Sequence, residues 1–319
     1  MQSTATDFVS ALIVARDVRL SGDDTRRYSR DVERGRLVRV RRGVYLPTQL
    51  WAGMNRTQRG LARMWAYHLT AERPPVFSHE SAARLHGLPL LPGVDERLSV
   101  AVPLDAAPKA DRDLRRRPLG VAPEEVIVVH GLQATSPART VVDLSVALVF
   151  SSAVVVADAA LGGGTVSADD LEQSAQNAAI QRVSRKARRV LDFADPRSGS
   201  AGESLSRAVI HESGFPAPVL QQTFHDTKGL IGIVDFWWPE HRLIGEFDGR
   251  VKYQAGRFEG TPEERLWNEK LREDRLRAQR TSVARWIWSD ALAPSLLVYE
   301  LSRHGLPSSK HRLADRTPR

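Results

Sequence analysis

The apolar positions near the start of the chain change from a helical to a strand period. An apolar stretch between Phe8 and Ile13 predicts a short helix. Thr25 can cap a second helix, which Gly35 would end. The following segment, LVRVRRGVYLP, alternates and carries Gly43, so it predicts two strands joined by a tight turn. This order of elements is the outline of a winged helix-turn-helix, which we predict for residues 1–50.

Residues 51–195 mix both periods, which predicts an α/β middle domain. Helical patterns occur in TQRGLARMWAYHLT, in SHESAARLHGL and twice in SPARTVVDLSVALVFSSAVVVADAAL, and another helix follows ALGGG. The segments LSVAVPL and EEVIVVHGL are strand-like, with Arg-rich LRRRPLG between them. The segment RVSRKARRVLDFADPRSGSAGE is first basic and then rich in Pro, Gly and Ser, as domain boundaries often are.

The pattern beyond this boundary predicts one helix, three strands in a meander, a long helix and a fourth strand. The first helix opens at Ser200 and ends at Gly214, and Pro262 suits the first turn of the long helix. The strands are VLQQTFHD, LIGIVDFWWP, RLIGEFDG and SVARWIWSD. We therefore predict an αβββαβ domain over residues 198–305, a basic flexible tail over 306–319, and a multidomain α+β or α/β fold for the chain.

Composition and charge indicate a protein with an anionic partner. The 319 residues carry a formal net charge of +8 and no cysteine, which excludes disulfides and cysteine-ligated zinc. No apolar run approaches the roughly 20 residues that a membrane span needs, and no signal peptide is evident, so we expect a cytoplasmic protein without a membrane partner. Nucleic acid is the commonest anionic partner, although an arginine-rich genome would give the same bias.

Three carboxylates on neighbouring predicted strands are the strongest chemical signal. Glu246 and Asp248 are two residues apart, so their side chains should leave the same face of a strand, and the hairpin brings Asp235 alongside. Like charges held this close favour a hard divalent cation between them, Mg²⁺ or Mn²⁺, which can orient a water for attack on phosphate. The alternative is that Asp235 ends a strand and the other two lie on a hairpin surface.

The segments IVDFWWPEHRLIGEFDGRVKY and EKLREDRLRAQRTSVARWIW resemble the DUF559 family, related to the very-short-patch-repair endonucleases of the PD-(D/E)XK superfamily. The resemblance implies Asp235 and Glu246 as acidic residues and Glu203 as an auxiliary ligand or positioning residue. The superfamily's lysine would stand at Asp248. Lys252 and Lys270 are the candidate substitutes, and Lys270 is favoured because lysine migration to this helix occurs in the superfamily. The same helix carries Arg272, Asp274 and Arg277, which also match the family pattern. The alternative is that these three residues are solvated surface charges.

Arginines concentrate in the predicted winged helix. Residues DVERGRLVRVRRGVYLP are similar to the amino-terminal domain of AbiEi-type antitoxins of type IV toxin–antitoxin systems, and SHESAARLHGL and TSPARTVVDLSVAL resemble the segment that follows it there. The likeness implies DNA binding and transcriptional autoregulation. The arginines expected to contact DNA are Arg26, Arg27, Arg30, Arg34, Arg39, Arg41 and Arg42, with Tyr28 and Ser29 beside them; the alternative is a solvated basic face.

Two functions follow, and a third is weaker. The first is a DNA-binding, Mg²⁺- or Mn²⁺-dependent endonuclease. The second is a non-catalytic antitoxin and autoregulator with a degenerate nuclease fold, connected to a cognate toxin through its operon; the missing lysine is its best support. The third is a protein-interaction module of a defence system.

Overall fold

The computed structural model describes residues 8–16, 26–107, 112–178, 185–249 and 261–310. Within these residues the backbone packs into two compact units. Unit 1 contains the chain up to residue 147 together with residues 166–187, and unit 2 contains residues 148–165 and the chain from 188 onward. The fold is mixed α/β, as the sequence predicts. The winged-helix and middle segments share unit 1, so their separation into two domains stays a prediction.

Unit 1 contains two sheets. A three-stranded sheet has the order β1-β3-β2, and its members are β1 (Ile13–Val14), β2 (Leu37–Arg41) and β3 (Val44–Pro47). A five-stranded sheet has the order β6-β5-β4-β8-β7, from β4 (Val76–Phe77), β5 (Leu98–Val102), β6 (Leu114–Pro118), β7 (Val126–Val129) and β8 (Leu132–Thr135). The predicted hairpin at Gly43 is confirmed, because β2 and β3 pair antiparallel across it.

Among the described residues, the helices of unit 1 follow the predicted periods except for the short second helix, which the sequence interpretation did not predict. They are α1 (Arg26–Glu33), α2 (Thr48–Gly53), α3 (Arg56–Thr70), α4 (His79–Leu85), α5 (Pro137–Ala147) and α7 (Ala168–Asn177). The core buries Leu46, Met64, Phe77 and Leu132 between the sheets and these helices. The first apolar stretch is only partly helical: a 3-10 turn at Val9–Ala11 precedes β1, which pairs with β3.

Unit 2 has the element order αβββαβ that the sequence predicts. Helix α9 (Ala201–Glu212) precedes the antiparallel strands β9 (Val219–Asp226), β10 (Gly229–Trp238) and β11 (Leu243–Phe247), and α10 (Pro262–Ala278) leads to β12 (Ser282–Trp286), which pairs parallel with β11. The unit also contains α6 (Phe150–Gly162), and it ends with α11 (Trp288–Leu292) and α12 (Pro294–Arg303). The sequence interpretation did not predict α11 and α12.

The segment chosen as a domain boundary contains a helix, α8 (Arg185–Phe193). Its basic composition suggested a linker. However, Ala187 and Val190 are buried at helical spacing, so the arginines and lysine surround an apolar face. The division between the two units falls inside this helix, after Ala187.

The core of unit 2 is aromatic. Trp238 and Trp286 are buried, and Phe236 packs against both. The indole N–H of Trp286 donates to Ser206 Oγ of α9 at 2.7 Å. Both tryptophans are thus core residues of unit 2. No helix in the described part of the chain is both long enough and apolar enough to cross a membrane.

Candidate phosphodiester site at the diverging ends of two strands

Asp235 and Glu246 lie next to each other where β10 and β11 stop pairing. The last main-chain pair is Phe236 with Gly245, and Asp235 and Glu246 are the next residues on the two strands. Directly opposed residues of an antiparallel pair share a face and have Cβ atoms about 5 Å apart. The sequence prediction that the hairpin brings these two carboxylates alongside each other is therefore supported by the strand register.

The carboxylate of Asp235 accepts a main-chain hydrogen bond at the point where the pairing of β10 with β11 ends. Its Oδ2 accepts the main-chain N–H of Phe247 at 2.9 Å, and its Oδ1 lies 3.5 Å from Nε2 of Gln221 on β9. Gln221 itself has a positive φ of 52°, which is unusual for a residue with a side chain. Asp235 thus links three strands at one point, and the irregular backbone of β9 aims an amide at it.

Glu203 reaches the same point from the other side of the sheet. It is buried in the first turn of α9, where Ser200 caps the helix and donates its hydroxyl to Glu203 Oε1 at 2.8 Å. The Gly199 N–H and Gln221 Nε2 both donate to Glu203 Oε2 at 2.9 Å. Gln221 therefore bridges Glu203 to Asp235. The sequence interpretation missed Gln221, which no local pattern marks.

Glu246 is held by two arginines. Arg272 on α10 places Nη2 2.6 Å from Glu246 Oε1, and Arg285, the β12 partner of Glu246 in the ladder, places Nη2 3.2 Å from Oε2. Arg285 also contacts Glu269 and Glu273 of α10 at 2.6 and 3.5 Å. Charge-assisted contacts of this kind fix the carboxylate in orientation as well as in charge.

The electrostatics follow from this network. Partial burial lowers the pKa of Arg272, but the contacts with Glu246 and Glu269 raise it more, so the net shift is upward. The pKa of Arg285 is likewise raised overall, by Glu246 and Glu269 against burial. Both guanidinium groups are thus charged, and they place two positive charges beside Glu246. Gly232 leaves the space for one of them, since a Cβ there would lie 2.8 Å from Arg272 Nε.

Of the two candidate lysines, the structure describes Lys270. Lys270 is exposed on α10, with its ammonium 5.9 Å from the ring centre of Trp267, while the neighbouring Arg272 contacts Glu246. Lys252 lies outside the described residues. Asp248 follows β11, and its main-chain N–H donates to the Trp286 carbonyl at 2.8 Å, which continues the pairing with β12. Among the described residues, the cation that contacts Glu246 most closely is Arg272, which the sequence interpretation also allowed to be a solvated charge.

No group of three or more His, Cys, Asp or Glu side chains with metal-binding geometry occurs in the ranges that the structure describes. Asp235 and Glu246 bring two carboxylates to the diverging strand ends. Glu203 approaches only through Gln221. The three-carboxylate centre stays a prediction.

We expect Gly202→Ala to destabilise unit 2 by about 1–3 kcal/mol, the usual size of an overpacking effect. A Cβ at this position of α9 would lie 2.0 Å from Cε1 of the buried Phe247 ring, and the main-chain N–H of Phe247 donates to Asp235. The ring must move, and the site moves with it. Thermal unfolding followed by tryptophan fluorescence measures the loss.

The matched control is Gly60→Ala, another helical glycine. Its added Cβ would meet nothing closer than 3.9 Å, so alanine should be neutral or slightly stabilising there. A Gly202→Ala protein that melts at or above the wild-type temperature would show that Phe247 has room that the packing does not indicate.

The arginines of the amino-terminal segment are mostly exposed. The described side chains on the surface are Arg27, Arg30, Arg34, Arg39 and Arg42. Arg41 is half-buried, with its guanidinium 4.6 Å from the ring centre of Tyr67. Arg26 begins α1, but its side chain lies outside the described set. These positions leave the exposed members accessible to an anionic partner.

Tyr28 does not share this surface, although the sequence interpretation placed it there. Its side chain is buried and stacks on Tyr45 of β3 with ring centres 5.4 Å apart. The helical spacing of the arginines predicted a basic face of α1 but did not show that Tyr28 lies on the inward side of this helix. Ser29 is exposed, as expected.

Unit 2 thus has a four-stranded mixed sheet with the element order αβββαβ. It carries the acidic pair Asp235 and Glu246, and two arginines contact Glu246. No protein-family model matches the sequence. The chain belongs to the same family as two uncharacterized proteins of Mycobacterium tuberculosis, MT2308 of strain CDC 1551 / Oshkosh and Rv2248 of strain ATCC 25618 / H37Rv. It is 30% identical to each over 230 residues, which cover 67% of this chain and 82% of the relative.

Proposed function

We propose that this protein acts on DNA and that unit 2 hydrolyses phosphodiester bonds with the help of Mg²⁺ or Mn²⁺. The observation that carries the proposal is the junction of Asp235 and Glu246 at the diverging ends of β10 and β11, with Glu203 linked to it through Gln221. Partly buried carboxylates on adjacent strands cost free energy of folding unless a nearby positive charge compensates them. The net charge of +8 favours an anionic substrate.

The donor set suits a hard cation only in part. Asp235 and Glu246 offer carboxylate oxygens, which Mg²⁺ prefers, and Asp248 follows one residue beyond β11. However, Arg272 holds Glu246 Oε1 at 2.6 Å, so cation binding would require this contact to loosen. Glu246 and Asp235 would hold the ion, and Asp248 would complete the set. When bound, the ion would supply an activated water and stabilise the leaving oxygen.

Arg272 would take the part that the superfamily gives to lysine. Its guanidinium is charged, lies against Glu246 and is fixed by the Ile233 carbonyl at 2.9 Å. A fixed cation beside the acidic pair can orient a phosphate oxygen and stabilise the charge that develops there. Arg285 holds the other oxygen of Glu246 and acts as a positioning residue.

Nicking of supercoiled plasmid in Mn²⁺ tests the proposal. We expect the wild type to nick, and Glu246→Gln and Asp235→Asn to lower the rate about a hundredfold or more, as when a group supplying several kcal/mol of transition-state stabilisation is lost. The control is Glu240→Gln, an exposed glutamate in the 3-10 turn Pro239–His241 at the other end of the hairpin. Nicking that survives both site variants would come from another residue or a contaminant.

A second candidate is a non-catalytic DNA-binding antitoxin or repressor. Its support is the pairing of Glu246 with two arginines, which neutralises the acid without a metal. This role predicts that DNA is shifted in gels, that Arg30→Ala with Arg34→Ala weakens the shift, and that no nicking occurs in any divalent metal. A toxin gene beside this one would identify the partner.

A further inference from the structure

Two adjoining hollows on unit 1 form a cleft lined mainly by arginine. One has a volume of about 270 Å³ and the other about 240 Å³, and they share Arg63, Glu96 and Leu98 in their walls. The arginines of this cleft, called the arginine cleft below, are Arg41, Arg56, Arg59, Arg63, Arg84 and Arg97. Among the described lining residues, the acidic ones are Glu96 and Asp113.

Helix α3 builds the cleft. Arg56, Arg59 and Arg63 are three and four residues apart, so they lie along one face of the helix. Asn55 caps this helix through its side chain, and the positive end of the helix dipole lies at Arg56. The spacing and the helix polarity concentrate positive potential on the same wall.

The described residues of unit 1 leave most of this charge without an ion-pair partner. Arg56 pairs with Glu96, and Arg97 with Asp95 at 2.7 Å. Among the residues that the structure describes, none of the other four guanidinium groups of the arginine cleft forms an ion pair; they belong to Arg41, Arg59, Arg63 and Arg84. An anion in the cleft would meet charges that still lack a counter-ion.

Two of these guanidinium groups, those of Arg59 and Arg84, are nevertheless held in place by neutral groups. Arg59 donates to the carbonyls of Trp51 and Ala52 at 3.2 and 3.3 Å and lies over the Trp51 ring. Arg84 donates to the carbonyls of Glu80 and Asp95, both at 3.3 Å, and burial lowers its pKa. Fixed, partly desolvated cations bind phosphate more strongly than mobile surface ones, because less order is lost on binding.

We infer that the arginine cleft binds the phosphodiester backbone of DNA, as a second contact surface beside the arginines of the β2–β3 hairpin. Arg41 belongs to both, since it ends β2 and lines the larger hollow, which makes the two surfaces continuous. Each hollow is smaller than the roughly 300 Å³ at which ligand pockets usually begin. Two shallow cationic hollows in a row fit successive phosphates of a strand better than one enclosed small molecule.

The inference rests on the proposed DNA-directed function but not on catalysis, so it is tested without metal. Fluorescence anisotropy with a DNA duplex in EDTA compares the full-length wild type, Arg63→Glu and the milder Arg63→Gln. Arg63 is exposed and has no hydrogen-bond or ion-pair partner among described residues, so both variants should fold, as circular dichroism will verify. The control is Arg73→Glu, an exposed arginine outside the cleft with the same change in net charge.

We expect Arg63→Glu to weaken DNA binding about tenfold and Arg73→Glu to weaken it at most about twofold to threefold. Between about 50 and 200 mM NaCl, the slope of log affinity against log salt should fall by about 0.9 for Arg63→Gln, as for one lost phosphate contact. Equal losses at Arg63 and Arg73, or an unchanged slope, would overturn the inference.

Two further outcomes separate the alternatives. Inorganic triphosphate that raises the melting temperature at micromolar concentration, in the wild type but not in Arg63→Glu, would assign the cleft to a free polyphosphate and overturn the inference. A wild type that binds DNA through Arg63 yet never nicks plasmid would support the arginine cleft while rejecting the nuclease proposal.

Discussion

Replacing Arg139 by alanine is expected to lower the free energy of unfolding of unit 1 by about 3–5 kcal/mol, the usual size when a buried ion pair loses one partner. Arg139 is 1% exposed and serves two buried carboxylates. Its Nη1 donates to Glu125 Oε2 at 2.6 Å, and its Nε donates to Asp143 Oδ1 at 2.9 Å. Without the guanidinium, both acids remain buried and lose the cation that they contact. Urea unfolding of the full chain measures the loss.

The pH dependence of this loss has a definite sign. Burial raises the pKa of Asp143 to about 6 against the pull of Arg139, compared with 3.8 when unperturbed. A carboxyl whose folded pKa is raised binds more protons in the folded state, so its contribution to stability falls as pH rises from about 4 to 6. Removing Arg139 raises that pKa further. The defect of Arg139→Ala should therefore be larger at pH 8 than at pH 5.

The control is Arg112→Ala, an exposed arginine of the same unit, which should change stability by less than about 0.5 kcal/mol. If Arg139→Ala is no less stable than this control, or if its defect grows as pH falls, the two carboxylates do not depend on Arg139.

Arg207→Ala should destabilise unit 2 by a similar amount, about 3–5 kcal/mol. Asp158 of α6 is completely buried, and Arg207 of α9 donates to both of its oxygens at 2.7 Å. The main-chain N–H of Asp195 donates to Asp158 Oδ1 at 2.8 Å, so one carboxylate joins two helices and the segment after α8. Burial raises the pKa of Asp158 although Arg207 lowers it, which indicates how costly this charge would be alone.

A double-mutant cycle makes this prediction specific. Asp158→Asn keeps an oxygen for the Asp195 N–H and removes the charge, so Asp158→Asn combined with Arg207→Ala should recover part of the loss seen in Arg207→Ala alone. Arg303→Ala, which removes an exposed guanidinium group that pairs with Glu300 at 2.9 Å, serves as the control. A double variant less stable than Arg207→Ala would mean that packing of the arginine stem, and not the buried charge, dominates.

The Asp158–Arg207 pair also explains a domain division that the sequence did not predict. Helix α6 lies in the middle of the chain, yet it belongs to unit 2 with α9. Its apolar residues, such as Val154 and Val155, would suit burial in either unit. The partner of its single buried acid lies 49 residues away, and no periodic pattern encodes that choice.

In the acidic site, the sequence pattern predicts the backbone arrangement but not which side chains contact each other. The pattern IVDFWW, turn, LIGEF predicts the hairpin and the proximity of Asp235 and Glu246, because strand period and turn position are local properties. It does not predict that Arg272 meets Glu246 while Lys270 points outward. The orientation of α10 decides between these two residues, and packing of Leu276 against Ile244 sets that orientation.

The sequence by itself determined the order of helices and strands from α9 to β12, the hairpin at Gly43 and the basic character of the first segment, since periods, caps and turns act over a few residues. The tertiary structure alone decided which cation neutralises Glu246, that Gln221 joins Glu203 to Asp235, and that arginines of α3 share one cleft with Arg41, Arg84 and Arg97 from other parts of unit 1. These contacts depend on how amphipathic faces pack, and many helix orientations are compatible with one pattern of apolar positions.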